Sequence, residues 1–66
     1  MKNTLRVERA ILNITQQELA EKVGCTRQTI LAIESNKYAP SIILAMKIAK
    51  VCQKKVDDIF TLEEDD

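Results

Sequence analysis

A chain of 66 residues has room for one domain with a single core, near the lower limit for independent stability. Hydrophobic residues make up 45% and aromatic residues 3%, with one glycine, one proline and no tryptophan, a mixture that favours a helical bundle over a strand-rich or disordered chain. Net charge is zero, yet residues 1 to 56 hold all ten basic residues against four acids (Glu8, Glu18, Glu21, Glu34), and six acids follow from Asp57 to Asp66, giving a basic body with an acidic tail.

In chain order, Leu5, Arg9 and Leu12 share one face of a first helix from about Thr4 to Leu12. Thr15 stands three residues before Glu18 and opens onto Leu19, Ala20 and Val23, a capping box at the head of a second helix. Gly24, the only glycine, ends it, because a residue without Cβ turns the chain at least cost. Thr26 caps a third helix from Arg27 to about Ser35, with Ile30 and Ile33 facing inward. Asn36 to Pro40 forms a loop. Pro40-Ser41 starts a fourth helix that reaches Cys52, and its apolar residues, Met46 among them, read as the central core. Val56 to Phe60 is a short fifth helix with Asp57 and Asp58 in its first turn, where acids suit the helix dipole. An extended stretch near Phe60 to Leu62 leads into a polar tail. The expected domain spans residues 1–62 and the acidic tail 63–66.

No run approaches the roughly 18 apolar residues that span a bilayer, and Met1 to Arg9 lacks the apolar stretch of a signal peptide. A cytoplasmic protein with no membrane partner is expected. Cys25 and Cys52, with no histidine in the chain, read as small core thiols, so no metal site, cofactor or small-molecule ligand is expected. The absence of histidine, of a nucleophile-base pairing and of a glycine-rich phosphate loop argues against an enzyme.

From Gln16 onward, apolar residues fall at Leu19, Val23, Cys25, Ile30 and Ile33, with Ala20 and Gly24 between them. Two helices crossing at a steep angle need a small residue where they touch and a tight turn between them, so residues 16–35 read as a helix-turn-helix. The stretch TQQELAEKVGCTRQTILAIESNKYAPS, followed by LAMKIAKVC and VDDIF, resembles the lambda-repressor and Cro-like XRE family in its minimal, single-domain form, from Leu5 to Phe60. That resemblance implies an all-α, five-helix DNA-binding domain, a symmetric dimer and regulation of transcription. Glu8 departs from it, standing where an aliphatic residue is usual.

The resemblance also assigns roles. Arg27, Gln28 and Ala32 would face bases in the major groove, Arg suiting guanine O6/N7, Gln suiting adenine N6/N7 and Ala offering apolar contact to a thymine methyl. Gln16, Thr26, Thr29, Asn36, Lys37 and Tyr38 would hold phosphates. For Gln16, Thr26 and Thr29 a capping role stands equally open, since capping and phosphate binding use the same atoms. Arg9 and Glu34 match an internal salt bridge.

Val56, Ile59, Phe60 and Leu62 are too apolar to leave in water at the end of so short a chain. Some fill the core, and the rest suit a two-fold dimer interface. The acidic run Glu63 to Asp66 reads as a solvated, frayed terminus, with a sharper reading open beside it, that it repels DNA locally and keeps the far end of the dimer off the duplex. The leading expectation is a homodimeric repressor on an inverted-repeat operator, because a chain this short has no separate effector domain and occupancy alone blocks a promoter. The competing expectation is a protein-interaction module, such as an antitoxin or accessory subunit.

Overall fold

The computed structural model describes all 66 residues. Five helices follow one another, α1 (Leu5–Leu12), α2 (Gln16–Val23), α3 (Arg27–Glu34), α4 (Ile42–Cys52) and α5 (Val56–Ile59), between two short strands, β1 (Lys2–Asn3) and β2 (Phe60–Thr61).

Local chemistry fixes the boundaries of the helices. At α2 the Thr15 hydroxyl accepts from the Glu18 backbone N–H at 3.0 Å, and Glu18 Oε1 accepts from the Thr15 N–H at 2.9 Å, so two orphan donors are satisfied reciprocally. The same bonds hold the Glu18 carboxyl below its ordinary value. Gly24 closes α2 at φ 77°, in the left-handed region that costs a side-chain-bearing residue about 1–2 kcal/mol. Thr26 and Ser41 cap α3 and α4 by accepting from Thr29 and Leu44. At α1, Asn3 Oδ1 accepts from the Leu5 N–H at 3.1 Å, while Thr4 makes no side-chain cap bond.

Twelve residues form one core, drawn from every helix and from β2. Leu5, Leu19, Ile30, Ile33, Ile48 and Ile59 are its largest fully buried members. α2 packs on α3 and α4, α1 on α3 and α4, and α5 on α4 and β2. β1 and β2 pair antiparallel, Lys2 opposite Thr61 and Asn3 opposite Phe60, and the Thr4 N–H donates to Ile59 O at 2.9 Å. This clasp between the two ends of the chain is the one element missing from the sequence reading. It also moves Phe60 from the end of a helix into a strand.

Two expectations are corrected. Ile42, Ile43 and Met46 are 73%, 65% and 59% exposed, so α4 is not core throughout. A helix apolar on all sides has more apolar residues than one packed face can cover. Ile59 and Phe60 lie inside the chain's own core and have no surface left for a second copy, whereas Val56 is half-buried and Leu62 is 77% exposed. Leu12 is exposed at the end of α1. Glu8, where the sequence departs from the family it resembles, is buried and ion-paired, with Lys54 Nζ 3.6 Å from its Oε1.

Candidate nucleic-acid interface

α3 carries its two isoleucines on one side, and their burial fixes the direction of the other. Arg27, Gln28, Leu31 and Ser35 are exposed, while Ala32 and Thr29 are half-buried. Arg27 and Gln28 occupy the first two positions of the helix, directly after the Thr26 cap. The Thr26 and Thr29 hydroxyls lie 3.0 Å apart, and the backbone N–H of Thr29 donates to Thr26 Oγ1 at 3.2 Å. The capping role of this pair is therefore occupied within the chain, with lone pairs and one hydroxyl proton left for an outside group.

Glu34 ends α3 pointing inward, its side chain wholly shielded from solvent. Arg9 Nε donates to its Oε2 at 2.8 Å and Arg9 Nη2 to its Oε1 at 3.3 Å, a two-pronged contact that locks α1 to α3. Arg9 Nη1 also donates to Ile14 O at 3.0 Å, tying in the turn between α1 and α2. Gln16 Nε2 donates to Glu34 Oε1 at 3.1 Å. Burial alone would push the Glu34 carboxyl up, but the bonds from Arg9 and Gln16 and the charges of Arg9 and Arg6 outweigh it and hold the group below the usual carboxylate range. Glu34 in turn raises the Arg9 guanidinium further above its ordinary value. The consequence for charge is specific: the only acid on α3 is neutralised and hidden, leaving Arg27 as the only charge on the exposed face of that helix.

Gln16 and Arg27 share an open cleft of about 660 Å³ with Arg9, Asn13, Thr15 and Gln17. Arg27, the one cation of the cleft without an acid partner, and the N-terminal backbone of α2 meet there, an arrangement suited to an anion. Asn13 and Gln17 escaped the sequence reading, although Gln17 follows Gln16 in the first turn of α2 and its position alone was the signal.

On the other side of α3, Asn36 turns the chain at φ 61°. Asn3 Nδ2 donates both to Ile33 O at 2.8 Å and to Asn36 Oδ1 at 3.0 Å, so the clasp holds the loop that leaves α3. Lys37 and Tyr38 are exposed beyond it. This loop, Met1 and Asp66 line one small cleft of about 120 Å³. Met1's ammonium pairs with Glu63 at 3.0 Å and Asp66 at 2.9 Å, which raises the amine above its ordinary value. The acidic tail therefore lies beside the Asn36–Tyr38 loop, and not at the far end of the molecule as the sequence reading had it. Strand pairing between β1 and β2 brings it there.

Burial raises the thiols of Cys25 and Cys52, with the Glu8 charge adding to the effect at Cys52. Both remain unionised, and no group of three or more acidic, cysteine or histidine side chains gathers as a metal site. No helix is long and apolar enough to cross a membrane.

A small helical body with a capped helix-turn-helix, an exposed basic head on its second helix and a basic cleft beside it defines a helix-turn-helix domain. The family profile for helix-turn-helix matches residues 5–59, and the chain belongs to that family, in the XRE type whose residues it carries. Two similar proteins carry the name uncharacterized HTH-type transcriptional regulator. One, from Methanocaldococcus jannaschii, is 54% identical over 66 residues, covering 100% of both chains. The other, from Methanothermobacter thermautotrophicus, is 50% identical, covering 98% of this chain and 96% of its own. A similar protein from Bacillus subtilis, uncharacterized HTH-type transcriptional regulator YgzD, is 48% identical over 65 residues, covering 98% of each chain.

Proposed function

We propose that this protein is a sequence-specific, double-stranded DNA-binding transcription regulator that acts as a repressor on an inverted-repeat operator as a homodimer. The observation that carries this reading is the head of α3: Arg27 and Gln28 are exposed on its first turn, with no competing carboxylate on that face. An arginine fork matches guanine O6/N7 and a glutamine amide matches adenine N6/N7, so these two set sequence preference. Ala32, at the edge of the same face, contributes less. Phosphates on one side meet Gln16, Thr26 and Thr29, and on the other Asn36, Lys37 and Tyr38, which fixes the register of the helix in the groove.

The names of the similar proteins support a role in transcription. A homodimer is supported by apolar surface that one copy leaves open, at Ile42, Ile43, Met46 and Leu62, with half-buried Val56 as a further candidate from the chain's C-terminal part. Two copies place their α3 helices one DNA turn apart, about 34 Å. The same open apolar surface is the observation favouring a second reading, a module that holds another protein.

Fluorescence anisotropy decides between them. Wild type is titrated against a randomised duplex pool at low and moderate salt, beside a variant carrying Arg27→Ala and Gln28→Ala. A regulator selects an inverted repeat, weakens steeply with salt, and loses selection in the folded double variant. Absence of binding by both proteins rejects the DNA reading in favour of the protein-holding module.

A further inference from the structure

We propose that Leu31 is a third specificity-determining residue, reading the 5-methyl group of thymine from the same face of α3 as Arg27 and Gln28, one turn further along the helix. The proposal rests on the DNA-binding reading above and adds to it a residue and a chemistry.

The geometry of α3 carries the inference. At about 100° of rotation per residue, Leu31 projects about 40° from Arg27 and about 60° from Gln28, inside the arc that those two define. Ala32 projects about 40° beyond Gln28, outside that arc, and is half-buried. Leu31 is 44% exposed. A single exposed leucine needs no explanation in general, but this one occupies the middle of a surface whose other members are built for polar recognition. Ser35, one turn on, donates its hydroxyl back to Leu31 O at 2.6 Å, so its proton is committed within the chain. With Glu34 shielded and paired, the arc holds one positive charge, one amide, one branched apolar side chain and, at its far end, the Ser35 oxygen, complementary to a negatively charged groove with an apolar spot on its floor.

The major groove offers one such spot. Of the base edges there, only thymine presents a methyl group; guanine, cytosine and adenine present donors and acceptors. Leucine can make no hydrogen bond, so against those edges it strips water from polar atoms without replacing the lost bonds. Selection is therefore two-sided, attractive toward thymine and unfavourable toward the rest.

The test isolates the methyl. After the preferred duplex is selected with wild type, each thymine is replaced in turn by deoxyuridine, which keeps every hydrogen-bonding atom and lacks only the methyl. Wild type, Leu31→Ala and Ala32→Gly are titrated against each duplex by anisotropy, with thermal melts as the folding control. The expected result is one thymine per half-site whose replacement weakens wild type about four-fold, the worth of one buried methyl, and leaves Leu31→Ala unchanged, while Ala32→Gly responds as wild type does. Equal losses for wild type and Leu31→Ala at every thymine overturn the proposal and leave the DNA reading intact. Insensitivity of Ala32→Gly in place of Leu31→Ala gives the methyl to Ala32 and overturns it as well. Failure of wild type to select any sequence overturns both.

Discussion

Arg9 on α1 grips Glu34 on α3 through two hydrogen bonds, 2.8 Å and 3.3 Å long, around a carboxylate with no solvent exposure. The contact joins the first helix to the helix that carries Arg27 and Gln28, so the angle at which α3 is presented depends on an ion pair at its opposite end.

Replacing Arg9 with methionine leaves a buried charge poorly compensated, since Arg6 reaches Glu34 only at 3.9 Å and is itself exposed. The expected loss is about 3 kcal/mol, the lower end of the range for breaking a buried pair, because Arg9 is not wholly covered. The pH dependence carries the sign. In wild type the folded-state value of Glu34 lies below its ordinary 4.5, so its stabilisation is fully present above that value and is lost as pH falls below it. In Arg9→Met the bond from Gln16 and the distant charge of Arg6 are left to oppose burial, so the stabilisation lost on acidification shrinks, and where burial outweighs them stability rises as pH falls toward 4.5 and levels off below it. Urea unfolding between pH 3 and pH 7 reads both slopes; parallel slopes would sink the argument.

Backbone strain at the ends of helices gives two changes of opposite sign. Gly24 sits at φ 77° with nothing within 4 Å of where a Cβ would stand. Gly24→Ala therefore costs only the backbone term, about 1 kcal/mol, or a fall of roughly 4–8 °C in Tm for a domain of this size. Gln53 holds the same left-handed conformation at φ 56°, at the end of α4. Gln53→Gly removes its strain, partly offset by the unfolded-state entropy of glycine, and stabilises by about 0.5 kcal/mol. Calorimetry on the pair checks both; two changes of the same sign would contradict the account.

These residues also show where the sequence speaks. Thr15 with Glu18, Gly24, Thr26 and Ser41 each mark a boundary of α2, α3 or α4 by a bond or a conformation made within a few residues, so these three helices, unlike α1 and α5 with their apolar spacing alone, are legible from local chemistry. The head of α3 is legible for the same reason: once Thr26 is a cap, Arg27 and Gln28 must stand on the first turn. Lys2 and Asn3 carry no periodic signal, and their pairing with Phe60 and Thr61 exists only after the two ends meet. The side of α4 that faces water is equally hidden, because Ile42, Ile43 and Met46 are as apolar as Ile48. Leu31 reads as one more apolar residue until the burial of Ile30 and Ile33 shows which way it does not point.

The clasp gives the acidic tail an electrostatic consequence. Asp66 shares a cleft with Asn36, Lys37 and Tyr38, well inside the roughly 10 Å over which charges are felt at 0.1 M salt. Converting Glu63, Glu64, Asp65 and Asp66 to their amides is expected to strengthen binding to random-sequence duplexes at low salt, with the difference shrinking as salt rises. Anisotropy over a salt series measures it. Equal affinity at the lowest salt would show that the tail's field does not reach the bound duplex.

Ile59 and the exposed face of α4 separate stability from association. Ile59 is 1% exposed, and Ile59→Ala is expected to cost about 2–5 kcal/mol through the lost contacts and the cavity left behind. Leu62→Ala, at an exposed position, changes stability by less than about 0.5 kcal/mol. Ile43→Glu with Met46→Glu also leaves the fold intact, since both side chains already face water, but places two charges where a second copy would need apolar surface. Sedimentation equilibrium should then show weakened self-association with circular dichroism unchanged. Association at wild-type strength would move the contact away from α4 and leave Val56 and Leu62 as the residues to change next.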